Sequence, residues 1–159
     1  MPQQSKPTRI LGLDPGYGRL GYGVIEGSTA LGFGVITTSK DRTVGERLAE
    51  IAADIRVLFA KYQPDVVSIE ALFFSKSVTT ALKVAEVRGV LLLLAEEHGA
   101  VVVEVKPNEV KLAITGYGKA DKKQVTAMVR TVFKLKAGPK IDDAADALAI
   151  AWTALNRRV

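Results

Sequence analysis

The sequence predicts an α/β fold: a mixed five-stranded sheet, three strands antiparallel and two parallel, flanked by helices. Two observations carry this. Three short β-prone segments separated by glycine turns come first. Helical and β patterns then alternate, which builds parallel strands with helical crossovers and covers both faces of the sheet. At 159 residues and 48% hydrophobic content, one domain can bury a full core. The expectation is a single domain over residues 1–159, with residues 1–8 as a flexible tail.

Ile10–Asp14, Tyr22–Glu26 and Leu31–Thr37 read as an antiparallel meander. Thr43 and Glu46 form a T-x-x-E capping box, and behind it Leu48, Ile51, Ile55, Leu58, Phe59 and Tyr62 recur at helical spacing. Pro64 closes that helix, and "DVVSIE" is a buried strand ending on Glu70. After a loop with Phe73 and Phe74, a long helix spans about Ser77 to Glu97. Its second half, "VLLLLA", is apolar all round, so one face is expected on the sheet and another on a second subunit. "AVVVEV" is the fifth strand. Helical stretches follow around Pro107–Ile114 and Asp121–Phe133, then a last helix from about Asp142 to Asn156. The order βββ-α-β-α-β-α-α-α is compatible with a ribonuclease-H-like fold.

Composition narrows the function. With no cysteine there is neither a disulfide framework nor a thiolate metal site. The longest apolar run is too short to cross a bilayer, and "MPQQSKPTR" is polar rather than a signal peptide, so a cytoplasmic protein without a membrane role is expected. The net charge of +5 is uneven. Residues 105 to 140 carry nine Lys or Arg against two acids, while the remainder has 13 basic against 15 acidic residues. Such a block fits a polyanion such as nucleic acid, and equally a solvated lysine-rich face.

The acids are more specific. Asp14 interrupts an apolar strand, in "LGLDPGYGRLGYGVIE", just where Pro15 and Gly16 turn the chain away. An unpartnered carboxylate there would be costly. Glu70 ends its own strand, and sites in sheets with helical crossovers form beyond the carboxyl ends of strands. In "IDDAADALAIAWTAL", Asp143, Asp146, Ala147, Ile150 and Ala154 share one stripe at about 100° per residue. Two acids thus occupy an otherwise apolar face aimed at the sheet. Asp142 lies about 100° away and reads as an N-cap or first-turn acid facing the helix dipole. Carboxylates gathered on one side of a core repel unless a hard divalent cation joins them, and oxygen ligands suit Mg²⁺ or Mn²⁺.

Rival chemistries are poorly supplied. His98, the only histidine, precedes Gly99 at a helix end and reads as a C-terminal capping residue. "GYGRLG" matches G-x-G-x-x-G, but that fingerprint must open a helix and here a strand follows. An actin-like ATPase would need two such domains. By elimination, metal-assisted hydrolysis fits best, with two ions roughly 4 Å apart. A non-catalytic nucleic-acid-binding module on the same fold is the alternative; loss of an acid would favour it, and none is missing.

With these residues assembled, the sequence resembles the RuvC family of Holliday-junction resolvases. The match runs from "ILGLDPGYGRLGYGVIE" through "SIEALFFSKSVTTALKVAEVRGV" and "TGYGKADKKQVTAMVRTVFKL" to "DAADALAIA". The resemblance implies that Asp14, Glu70, Asp143 and Asp146 are the catalytic, metal-holding acids, with two Mg²⁺ per site and Mn²⁺ able to substitute. It implies a homodimer that binds four-way junction DNA and nicks two strands of like polarity symmetrically, leaving 5′-phosphate and 3′-hydroxyl ends. It also implies cooperation with the RuvA–RuvB branch-migration complex. Phe73 matches the aromatic that packs on the opened junction, with Phe74 beside it. Lys111 and Lys122 match functional lysines, Lys122 at a helix start where its amine and backbone N–H groups would meet a phosphate together. Lys76, Arg88, Lys119 and Lys123 are further expected DNA contacts, a solvated-surface role being equally open for the last three. Ser77 stands where the family often has Asn, and Tyr17 and Arg19 occupy a turn where members differ.

Overall fold

The computed structural model describes residues 6–16, 18–72 and 77–157. Strands β1 (Arg9–Pro15), β2 (Arg19–Glu26) and β3 (Thr29–Thr37) form the antiparallel meander. β4 (Val66–Glu70) pairs in parallel with β1, and β5 (Val101–Val105) in parallel with β4. The order is β3-β2-β1-β4-β5, the mixed sheet expected. β2 starts three residues earlier than its apolar pattern. The Gly16 N–H donates to the Arg19 carbonyl at 2.8 Å, so the turn is tight and pairing resumes at once.

Helices α1 (Val44–Tyr62) and α2 (Val78–Glu97) cover one face, burying Ile55, Phe59, Leu91 and Leu94 against Leu11, Leu13 and Ile69. The capping box at α1 is formed: Thr43 Oγ1 accepts from the Glu46 N–H at 3.2 Å, and Glu46 Oε2 accepts from the Thr43 N–H at 2.9 Å. At the end of α2, His98 places Nδ1 2.7 Å from the Leu94 carbonyl oxygen and stacks on Phe59, the capping role expected of it.

The other face carries α3 (Pro107–Thr115), α4 (Lys122–Val132) and α5 (Pro139–Asn156). α5 begins at Pro139, about three residues before the expected start, because proline is preorganised for the first helical position. Gly138 is therefore the N-cap, and Asp142 lies in the first turn rather than capping it. α5 sits directly on the backbone of the meander. A Cβ on Gly12 would collide with the Ala147 carbonyl oxygen and lie 2.8 Å from Ala151 N; one on Gly23 would lie 2.7 Å from Leu148 Cδ2. Glycine in the strands and alanine on the helix (Ala144, Ala147, Ala151, all fully buried) together permit this approach. Ser68 Oγ, also fully buried, donates to the Ile150 carbonyl at 2.8 Å and ties β4 to the same helix.

Candidate active site

Strand alternation brings two acids to the α5 side. Gly12 of β1 and Ser68 of β4 are partners in register and both meet α5. Two residues further on stand Asp14 and Glu70, so both project toward α5 from strands about 4.8 Å apart. Gly21, the antiparallel partner of Asp14, completes the seat. A Cβ there would be 3.6 Å from Asp14 Cβ, 3.5 Å from the Asp143 carbonyl oxygen and 3.7 Å from Ala147 Cβ. The backbone at Asp143 is thus within van der Waals reach of the Asp14 strand pair, and Asp146 follows one turn along.

Asp146 and Glu70 line one cleft of about 310 Å³ with Lys111, Asp121 and Lys122. Its floor is apolar, from Val110, Ala120, Val125 and Ile150. Asp146 is half-buried and Asp143 is exposed. Asp143 Oδ1 is 3.1 Å from Arg19 Nη2. As placed, no three or more His, Cys, Asp or Glu side chains among the described residues converge closely enough to hold one cation. The backbones of the four acids are brought together; their carboxylates are not drawn to one point.

The expected cationic contacts divide. Lys111 and Lys122 face the cleft with Glu70 and Asp146. Lys122 opens α4, but Asp121 Oδ1 already accepts from the Gln124 N–H at 2.8 Å. One of the helix-terminal donors, the Gln124 N–H, is therefore satisfied internally. Lys119 and Lys123 are exposed, and Lys123 borders a second groove of about 390 Å³ with Lys122, Arg130 and Asp142. Arg88 differs from expectation. It is only 8% exposed; Nη1 donates to the Glu70 carbonyl at 2.7 Å and Nη2 to Glu104 Oε1 at 2.6 Å. A buried guanidinium with both arms engaged is not presented to DNA: Arg88 positions the backbone of Glu70. Phe73, Phe74 and Lys76 lie outside the described residues.

Two features escaped sequence reasoning. Arg19 was visible as an unusual turn residue, and alternation with Gly21 would have put it on the acid face. The roles of Gly12, Gly21 and Gly23 as a helix seat were hidden, because glycine in a strand reads first as a turn or bulge.

Fold and site together define a class: a ribonuclease-H-like α/β protein with acids grouped beyond the carboxyl ends of its central strands and beside the N-terminal half of its last helix. A family model described as "Crossover junction endodeoxyribonuclease RuvC" matches residues 10–154. A relative of the same description from Thermosipho melanesiensis is 48% identical over 148 residues, covering 91% of this chain and 94% of its own. The solved Thermus thermophilus RuvC in complex with a Holliday junction substrate superposes with a TM-score of 0.85 at 36% identity, over 92% of each chain. The yeast mitochondrial Holliday junction resolvase Ydc2, at 17% identity and TM-score 0.65 over 93% of this chain and 80% of its own, shares the fold. The chain belongs to the RuvC family of divalent-metal-dependent DNA endonucleases.

Proposed function

We propose that the chain resolves four-way DNA junctions by paired, symmetric hydrolytic nicks, with Asp14, Glu70, Asp143 and Asp146 as its catalytic acids. The observation that carries this is the shared cleft, in which strand-end and helix acids stand beside lysines in a chain of the RuvC family.

The donor set suits a hard cation. Only oxygen ligands are offered, and Gly21 stands within ordinary contact of both Asp14 Cβ and the Asp143 carbonyl. The four acids would hold two Mg²⁺ ions, with Mn²⁺ able to substitute. When bound, such a pair activates the attacking water and stabilises the leaving oxygen. Lys111 and Lys122 neutralise the phosphate in the cleft and favour the charge that develops during the reaction. Arg88 holds the Glu70 backbone, and the seat of α5 fixes where Asp143 and Asp146 enter. Phe73, with Phe74, stacks on bases exposed at the crossover, and Lys76, Lys119 and Lys123 contact the DNA backbone. The products carry 5′-phosphate and 3′-hydroxyl ends.

Paired incision requires two sites, so the working unit is a homodimer. α2 supports this with an outward stripe of Val78, Leu82, Gly89 and Leu93, in which the two leucines are more than half exposed. Open space at Gly89 lets another backbone come close. No helix among the described residues is long and apolar enough to cross a membrane. Action in the cytoplasm with a RuvA–RuvB complex, by a single domain spanning residues 1–159, completes the proposal.

The test is incubation of an end-labelled synthetic four-way junction with the protein, with Mg²⁺ or with a chelator. Metal-dependent, symmetric cuts in two strands of like polarity are expected. Cutting that persists in chelator, or that is equal on linear duplex, overturns the reading.

A further inference from the structure

Arg19 begins β2, and the Gly16 N–H bound to its carbonyl fixes its backbone. Gly21, two residues on, faces Asp14 and the Asp143 carbonyl. Strand alternation therefore projects the Arg19 side chain over the same face as the acids. The guanidinium reaches Asp143, Nη2 to Oδ1 3.1 Å, and both side chains remain well exposed, 60% and 48%. An ion pair so open to water is weak and exchanges readily.

Asp143 Oδ1 cannot serve this guanidinium and a divalent cation equally well. Both are positive, both seek the same lone pairs, and at such range they repel. We propose that Arg19 is an internal counter-cation for Asp143 which the metal must displace, so that Arg19 sets the metal concentration at which the site fills. This rests on Asp143 being a metal ligand, as proposed above. Arg19 acts through Asp143 and is a positioning residue.

The test is Mn²⁺ binding to the full-length protein without DNA, followed by loss of the electron paramagnetic resonance signal of free Mn²⁺ at low ionic strength. Arg19→Gln should bind Mn²⁺ more tightly, by up to about fivefold, the range of an exposed ion pair. Arg19→Lys, which keeps the charge, should stay near wild type. In an Asp143→Asn background, Arg19→Gln should have a smaller effect, because only the direct repulsion remains. Arg19→Gln binding Mn²⁺ no more tightly than wild type, while Asp143→Asn binds it more weakly, overturns the role of Arg19 and leaves the site assignment standing. Asp143→Asn binding Mn²⁺ like wild type removes the ligand assignment itself, and this inference with it.

Discussion

Gly12→Ala tests whether the seat of α5 sets the site. The added methyl collides with the Ala147 carbonyl oxygen and stands 2.8 Å from Ala151 N and 2.9 Å from Ala151 Cβ. Two of these three atoms are helix backbone, so no rotamer change relieves the clash; α5 must move. Overpacking of this kind costs about 1–3 kcal/mol, and backbone obstacles place it at the upper end. The reduced freedom of the unfolded chain returns about 0.5–1 kcal/mol. A net loss of about 2 kcal/mol lowers Tm by about 4–8 °C in a domain of this size. A helix displaced by about 1 Å carries Asp143 and Asp146 with it, and misplacement on that scale costs about 100-fold in rate. The assays are thermal unfolding and single-turnover junction cleavage well below Tm. Gly45→Ala is the control: nothing lies within 4 Å of its new methyl, it sits in α1, and Tm should hold or rise. Gly12→Ala with wild-type Tm and wild-type cleavage would refute the reasoning.

Four further outcomes are expected. Asp146→Asn and Asp14→Asn each remove a charge while keeping shape, so cleavage should fall by several orders of magnitude while junction binding in a gel shift survives or tightens. Asp142→Asn, in the exposed first turn of α5, should change little. Leu93→Glu should give monomers in sedimentation, since Leu93 is 56% exposed on the outward stripe, whereas Leu92 is half-buried; wild-type protein that is already monomeric at micromolar concentration would dismiss the dimer. Lys122→Ala should slow single-turnover cleavage of fully paired and centrally mismatched junctions alike, whereas the unpaired centre should partly rescue Phe73→Ala, because stacking is worth about 1–3 kcal/mol per base; equal rescue of both would mean their roles are wrongly divided. Finally, the Lys106 N–H and then Arg157 hold the Glu109 carboxyl below its usual range. A depressed carboxylate stabilises the fold at neutral pH, and that contribution is lost as pH falls through the folded-state value. Urea unfolding of Glu109→Gln should therefore show a deficit within about 1 kcal/mol at neutral pH, screened by its exposure, that closes in acid.

Local signals in the sequence reached far. The T-x-x-E pattern at Thr43 forms its capping box, and the last helix brings the Asp143 backbone beside the Asp14 strand pair and Asp146 into a cleft with Glu70. Part of what escaped depends on partners distant in the chain. Arg88 reads as a spare cation until β4 and β5 bring Glu70 and Glu104 to it. α5 starts about three residues before its acid-led pattern because Pro139 suits a first helical turn.

The seat of α5 also bears on the order in which the protein becomes active during synthesis. The helix that brings Asp143 and Asp146 leaves the ribosome only after all five strands of the sheet it rests on. Even the shorter-range tie, from Ser68 to Ile150, spans 82 residues. Contacts of such separation are slow to form. Until they form, the meander shows a bare glycine shelf and the proposed metal site has only two of its four acids. A nascent chain therefore has no complete nuclease site to turn on DNA, and the same helix closure that finishes the core also finishes the site.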